Sequence, residues 1–292
     1  MSKRTLPEKT GRKQPAAVTV RILRWQLGAK PKRQADAVAR EEPLEIRVRG
    51  RSVAVTMRTP GHDRELAAGF LVTEGVVRSR KDIVEIAPCL GADEPENTLN
   101  VFLAPKVELD LKQLTRHVFA SSSCGLCGKA SIEAVHQHFP PIMGKLRVAA
   151  RVLAGLPEKM RAAQATFAQT GGLHAAALFN LDGDLLVLRE DVGRHNAVDK
   201  VLGWAFLENR FPLESAILLV SGRASFEIMQ KALAGRVPIV CAISAPSSLA
   251  LEFARESAQT LVGFLRGNTM NVYSSPERIT GAAASRTAKL RG

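Results

Sequence analysis

The apolar positions over residues 18–27 alternate weakly with polar ones, the period of a half-buried first strand. Segments 44–48 and 53–57 carry leucine, isoleucine and valine at strand spacing on either side of Arg49-Gly50-Arg51-Ser52, which predicts a hairpin. Pro60-Gly61 breaks the pattern. From 63 to 73 the period becomes helical, with Leu66, Ala67, Phe70 and Leu71 on one face and Gly75 beyond the end. Residues 98–103 predict another strand, and these elements make a small α+β lobe ending near residue 110.

A helix is predicted over 111–119. Apolar residues recur at helical spacing over 151–167, with Pro157 as a flaw inside and Gly171-Gly172 as the stop. Strands are predicted at 175–179 and 185–188, joined through Asp182-Gly183, a strong short-range hairpin signal. Helix and strand then alternate: helix 196–207, strand 216–220, helix 226–234, strand 239–243, helix 248–257, strand 260–264. Such alternation predicts a layered α/β domain with parallel strands, whose ligand site lies beyond their carboxyl ends. The expected organisation is therefore a disordered basic tail over 1–16, a small N-terminal lobe over 17–110, an α/β domain over 111–280 and a flexible tail over 281–292.

Composition narrows the class. A chain of 292 residues, 46% hydrophobic and 24% charged, suits a folded soluble protein. No run approaches the roughly 18 apolar residues of a membrane helix. The first fourteen residues are polar and basic with no apolar stretch behind them, unlike a secretory signal, so a cytoplasmic location is expected. The net charge of +13 suits nucleic acid, a phosphate-rich ligand or an acidic partner protein. Only 5% of residues are aromatic, and they do not interleave with basic positions as base-stacking platforms do. Nucleic acid is the weaker reading, and no membrane partner is expected.

The densest chemistry is Ser121-Ser122-Ser123-Cys124-Gly125-Leu126-Cys127-Gly128, ahead of a helix-like segment. Cysteines at a helix start lie near unpaired N–H groups and the positive end of the helix dipole, which favours the reactive thiolate. From the spacing of Cys124 and Cys127 alone, metal binding, redox chemistry and sulfur carriage stand level. Two observations weigh against zinc. There is no second Cys-x-x-Cys and no His-x3–5-His, and a structural site wants four ligands. The zinc-deaminase signature places His-x-Glu ahead of its cysteines, whereas His174-Ala175-Ala176 follows them and lacks the glutamate. No structural metal is expected.

Other polar clusters fall at strand ends. Glu190-Asp191-Val192-Gly193-Arg194-His195-Asn196-Ala197-Val198-Asp199-Lys200 opens a helix. It reads either as a solvated cap or as an anion site made by Asp191, Arg194, His195 and Asn196 with backbone N–H groups. Ser221-Gly222-Arg223-Ala224-Ser225 reads as a phosphate cradle centred on Ser221 and Arg223, without the Walker pattern that nucleotide hydrolysis would want. Ser244-Ala245-Pro246-Ser247-Ser248 supplies caps. Phe264-Leu265-Arg266-Gly267-Asn268-Thr269 is a basic turn after the last predicted strand. His174 follows Gly171-Gly172 as a candidate for the same cleft, though a single histidine is more often structural. Cys241 lies in an apolar strand and reads as core; Cys89 lies outside every motif.

These motifs resemble the formate dehydrogenase accessory sulfurtransferase family, in the same order along roughly residues 18–280. The resemblance rests on the Ser-Ser-Ser-Cys-Gly-Leu-Cys-Gly loop, Gly-Gly-Leu-His-Ala-Ala-Ala, Glu-Asp-Val-Gly-Arg-His-Asn-Ala-Val-Asp-Lys, Ser-Gly-Arg-Ala-Ser-Phe-Glu, Ala-Pro-Ser-Ser-Leu-Ala and Val-Gly-Phe-Leu-Arg-Gly-Asn-Thr. It implies a C-terminal domain like the cytidine-deaminase fold without zinc chemistry, and a homodimer. It also implies a persulfide carrier that takes sulfur from a cysteine desulfurase and sulfurates a molybdenum or tungsten bis(molybdopterin guanine dinucleotide) cofactor before insertion into the catalytic subunit of formate dehydrogenase. On this resemblance Cys124 carries the persulfide, Cys127 assists, and Phe264, Leu265, Arg266, Gly267, Asn268 and Thr269 form the cofactor-binding turn. The rival reading is a cofactor chaperone without sulfur chemistry.

Overall fold

The computed structural model describes residues 14–108, 135–136 and 138–281, so the Cys124–Cys127 loop and the predicted helix over 111–119 lie outside the described residues. The chain forms two compact units that are not consecutive in sequence. The first contains residues 14–108 together with Gln164–Ala175 and Arg189–Phe211; the second contains residues 135–163, Ala176–Leu188 and 212–281. The N-terminal lobe expected from the sequence thus gains two later segments, one of them carrying the motif of residues 190–200.

The first unit begins with an antiparallel hairpin, β1 (Ala17–Arg24) and β2 (Lys32–Ala39). A second hairpin, β3 (Glu42–Val48) and β4 (Arg51–Arg58), is turned by Arg49 and Gly50, both at positive φ. The helix α1 (Asp63–Thr73) follows, then β5 (Ile83–Pro88) and β6 (Thr98–Leu103). The sheet order is β4-β3-β6-β5, with β3 and β6 parallel and the outer pairs antiparallel. Leu44, Ile46 and Val48 alternate onto the inner face with Leu99 and Val101, and Leu66 and Leu71 of α1 share their core.

The later segments supply the short helix α3 (Ala165–Thr170) and the long α4 (Arg194–Leu207). Helices α1 and α4 touch backbone to backbone. A Cβ at Gly69 would stand 1.8 Å from the carbonyl oxygen of Asp199, and one at Gly203 would stand 1.8 Å from that of Glu65. No side chain fits either place, so glycine at both positions sets the helix separation. The Thr73 hydroxyl donates to Asp199 Oδ1 at 2.9 Å in the same crossing.

The second unit is built on a six-stranded sheet of order β13-β12-β11-β10-β8-β9. Its strands are β8 (His174–Phe179), β9 (Leu185–Asp191), β10 (Ile217–Val220), β11 (Ile239–Ala242), β12 (Thr260–Arg266) and β13 (Thr269–Ser274). The open end of the β8–β9 hairpin, residues 174–175 and 189–191, is counted with the first unit. The central strands β10, β11 and β12 are parallel and fully apolar apart from Thr260, Gly263 and Arg266, the mark of strands covered on both faces. The helices described here along their whole length are α2 (Ala150–Ala163), α5 (Phe226–Ala234) and α6 (Ser248–Glu256). A short parallel pair, β7 (Val148–Ala149) with β14 (Ile279–Thr280), completes it.

The sheet is mixed rather than parallel throughout. Strand β8 runs antiparallel to β10, and β13 runs antiparallel to β12 because the tight turn between those two can only reverse the chain. The helix predicted over 151–167 is two helices. Pro157 sits inside α2, and the break falls at Gln164, where ψ leaves the helical range. Beyond the break the Glu190 carboxylate accepts from Thr166 N at 2.9 Å and Phe167 N at 2.7 Å, starting α3 afresh.

The helix crossing makes a specific prediction. Gly203→Ala forces the backbones of α1 and α4 apart and lowers unfolding free energy by about 1–3 kcal/mol or more. Gly155→Ala, where nothing lies within 4 Å of the added methyl, leaves it within about 1 kcal/mol of the parent. Urea titration of the two variants checks the difference.

Candidate functional site

The turn between β9 and α4 is organised by a buried charge. The Asp191 side chain is 0% exposed and that of Lys200 1%, and Lys200 Nζ stands 2.6 Å from Asp191 Oδ2. Every acceptor position of that carboxylate is used. Oδ2 also accepts from Thr59 N at 3.2 Å, and Oδ1 accepts from Gly193 N at 2.8 Å and Asn196 Nδ2 at 3.0 Å. Lys200 donates further to the Thr59 carbonyl at 2.8 Å. Asn196 completes the knot: its amide donates to Met57 O at 2.8 Å, and its oxygen accepts from the Thr56 hydroxyl at 3.2 Å. Val192 N donates to Thr59 Oγ1 at 3.2 Å. A Cβ at Gly193 would lie 2.9 Å from Asn196 Nδ2, so the residue between the two knot members has to be small.

Asp191 and Asn196, both candidates from sequence, are therefore engaged inside the fold, pinning the start of α4 to the end of β4. Sequence reasoning did not single out Lys200, Thr59, Thr56 and Glu190 as parts of this arrangement. The usable signal was Lys200 itself, a lysine among Ala197, Val198, Val201 and Leu202 on a helix buried almost all round. Such a lysine needs a buried acid. The partners on β4 carry no signal, because nothing local in Thr56-Met57-Arg58-Thr59 marks them.

The turn presents Arg194 and His195, both half-buried, and His174 stands beside it on β8. Arg194 Nε is shielded from solvent with no hydrogen-bond partner. Burial lowers the His174 imidazole below the ordinary histidine value, the Arg194 guanidinium lowers it further, and Asp191 opposes them. The imidazole is thus neutral near pH 7, next to a permanent cation.

In the second unit the turns after the parallel strands are stitched by backbone. Ala224 N donates to Ala245 O at 3.2 Å and Ser247 N to Ala224 O at 3.0 Å, a bridge between the β10 and β11 turns. Phe264 N donates to Ser244 O at 3.1 Å and Arg266 Nε to Ile243 O at 3.0 Å, which ties in β12. A Cβ at Gly263 would press against the Pro246 ring and Tyr273, each at 3.0 Å. Phe264 is held at φ 49°, a conformation that bulky residues avoid, with its ring half-exposed while Leu265 is buried. Gly267, also at positive φ, makes the turn from β12 into β13 with Asn268, and the Thr269 hydroxyl donates to Arg266 O at 3.0 Å. Ser221, Arg223 and residues 264–269 thus gather at one carboxyl edge, with the Arg223 and Arg266 side chains exposed there.

The structure accordingly divides the sequence-predicted residues into two sets. His174, Asp191, Arg194, His195 and Asn196 belong to the first unit, and Ser221, Arg223 and Phe264 to Thr269 belong to the second. Cys241 is in the core, where burial pushes its thiol up to about 12, so it is not a nucleophile. Cys89 is half-exposed, with Arg47 Nη1 3.8 Å from its sulfur. Among the described residues no group of three or more His, Cys, Asp or Glu could hold a metal, and no helix is long and apolar enough to cross a membrane.

Two measurements test this geometry. Lys200→Met strands a buried carboxylate and costs about 3–5 kcal/mol of stability. Adding Asp191→Asn recovers part of that loss; no recovery would remove the pair from its organising place. For His174, the native state holds the proton less tightly than the unfolded chain, so stability falls as pH drops through about 6.5. His174→Gln flattens the stability profile between about pH 7 and 5, read by denaturant titration at each pH.

Comparison with known proteins places these features. Residues 39–280 match the profile of the FdhD/NarQ family. A Mycobacterium tuberculosis protein named sulfur carrier protein FdhD is 54% identical over 254 residues, covering 84% of this chain and 92% of its own. Its namesake in Nocardia farcinica is 50% identical over 272 residues, 92% of this chain and 97% of its own. A crystal structure from Desulfotalea psychrophila, described as a candidate formate dehydrogenase accessory protein, superposes with a TM-score of 0.73 at 27% identity over 91% of this chain and 100% of that one. With a family match across most of its length and relatives identical at half of the aligned positions, the chain belongs to the FdhD/NarQ family.

Proposed function

We propose that this protein is a cytoplasmic sulfurtransferase that carries persulfide sulfur from a cysteine desulfurase to the bis(molybdopterin guanine dinucleotide) cofactor of formate dehydrogenase. The observation that carries this reading is Cys124-Gly125-Leu126-Cys127 in a chain whose relatives, half or more identical over nearly their whole length, are named sulfur carriers.

The chemistry balances without an outside oxidant. The Cys124 thiolate attacks the outer sulfur of the desulfurase persulfide. A new S–S bond forms on Cys124, the donor's S–S bond breaks, and the donor cysteine leaves as thiolate. For delivery, the Cys127 thiolate attacks Cys124 Sγ, forming the Cys124–Cys127 disulfide and expelling the outer sulfur as hydrosulfide for the metal. The two electrons come from the thiol pair, and a cellular thiol reductant restores it.

The cofactor is the substrate, and its two dinucleotides carry four phosphates. The carboxyl edge with Arg223, Arg266, Ser221 and the turn of residues 264–269 suits those anions. Arg194, with an unpartnered buried Nε, neutral His174 and the neighbouring His195 supply a second anion-binding set, which Asp191, Asn196 and Lys200 hold in place. The strand order of the second unit supports the likeness to a cytidine-deaminase fold, and the alanine after His174 leaves no general acid for deamination. Partners on this reading are the desulfurase, the catalytic subunit of formate dehydrogenase and a second copy of this chain.

Two variants separate carrier from chaperone. Cys124→Ala, incubated with desulfurase and cysteine, gains no sulfur by intact mass and leaves formate dehydrogenase inactive in cells, while its circular dichroism stays that of the parent. Arg266→Glu still gains one sulfur atom but fails to activate the dehydrogenase. Full maturation by Cys124→Ala would leave only the chaperone reading.

A further inference from the structure

The β1–β2 hairpin is used by nothing described so far. Residues 17–38 precede residues 39–280, the stretch that matches the family profile. Among the described residues the two strands pair only with each other. Near its base, a Cβ at Gly172 would lie 3.6 Å from that of Ala39, ordinary packing contact. Farther out, nearly every position from Arg21 to Asp36 is exposed. Two-stranded arms are marginally stable alone, so an arm this exposed reads as one side of an interface.

Its side chains specify the other side. At the distal turn, which Gly28 makes at φ 81°, Trp25 is 73% exposed and Leu27 fully so, with Leu23 at 51% just behind. Arg21, Arg24, Lys30, Lys32 and Arg33 follow the apex, and Asp36 is the arm's one acid. Residues 1–40 hold eleven Lys or Arg against two Asp or Glu, a net +9 of the chain's +13. An apolar apex with a cationic collar behind it matches a lipid–water interface, where indole and leucine enter the acyl boundary and the cations stay among headgroup phosphates. Nucleic acid would want aromatics spread along the strands for stacking, and there is one, at the apex. A second copy of this arm would be repelled by its charge.

We infer that the hairpin docks this protein on the surface of an anionic lipid bilayer, with Trp25 and Leu27 at the apex and Arg24, Lys30 and Lys32 on lipid phosphates. The sequence led us to expect no membrane partner because no segment can span a bilayer; surface docking needs none. A carrier held at the membrane meets partners in two dimensions, and the hairpin shares no residue with either set of candidate site residues.

The test uses the full chain with vesicles of phosphatidylcholine alone or with one-third phosphatidylglycerol. The protein sediments with the anionic vesicles only, and Trp25 emission moves to the blue; Trp25→Phe abolishes the move, leaving Trp204 as control. Lys30→Ala with Lys32→Ala weakens partition roughly thirtyfold, at about 1 kcal/mol per basic residue. Leu27→Ser weakens it with charge unchanged. All four side chains are exposed, so the fold is not at stake. Salt of about 1 M, where screening reaches about 3 Å, releases the protein. No association with anionic vesicles overturns the inference. So does association without a change in Trp25 emission, which would assign the arm to a soluble polyanion such as an acidic protein or nucleic acid.

Discussion

The arrangement of the first unit depends on one ion pair in the dry interior, Asp191 with Lys200. Placing two charges there costs desolvation energy that their attraction repays only if every remaining lone pair and proton is met. Here they are met, by Thr59, Gly193 and Asn196 on one side and by the Thr59 carbonyl on the other. The result is directional. Hydrophobic packing would let α4 slide or rotate by small amounts, whereas four hydrogen bonds to one carboxylate admit a single register. The glycine crossing of α1 and α4 adds the complementary constraint, since backbones in contact have no side chains to repack. Arg194 and His195, next along the chain, are thereby presented from a rigid base.

The second unit reaches the same end by other means. Its carboxyl-edge turns are joined through main-chain hydrogen bonds, so the edge does not depend on which side chains it carries. Phe264 tolerates a left-handed backbone because the bonded Ser244 carbonyl on one side and buried Leu265 on the other leave it no alternative. Rigid backbone with exposed arginines suits the recognition of a large anion, where positioned N–H groups give geometry and flexible guanidinium groups give charge. A sulfur carrier has a further need, a cysteine that can travel, and Cys124 and Cys127 are each followed by a glycine in the sequence.

Charge is distributed unevenly along this chain, and the distribution separates tasks. The first 40 residues hold most of the excess, whereas the body of the protein is only slightly basic. Within the body the cations that matter are individually placed: Arg58 buried against Asp63, Lys200 against Asp191, Arg189 against Glu65. Burial acts to raise the Glu65 carboxyl, and hydrogen bonds from Arg189 and His62 outweigh it, keeping it ionised well into acid. Net charge alone would have suggested a nucleic-acid binder; paired charges inside and free charges on one arm give another picture.

The sequence by itself determined the elements whose pattern is local. The helix over 63–73, the hairpin through Asp182-Gly183 and the alternation from 194 onward were legible, because period and turn chemistry are written within a few residues. The polar motifs were legible as chemistry too, since Cys-Gly-Leu-Cys or Arg-His-Asn is unusual wherever it falls. Strands β2 and β13 were not legible, being polar or exposed and formed only because a tight turn lays them against a neighbour. Only the tertiary structure decided that residues 164–175 and 189–211 fold with the N-terminal lobe, and that Asp191 and Asn196 hydrogen-bond to Thr59, Met57 and Thr56 at and just past the end of β4. Both outcomes rest on contacts between residues more than a hundred positions apart, and no local pattern encodes the partner of a buried charge.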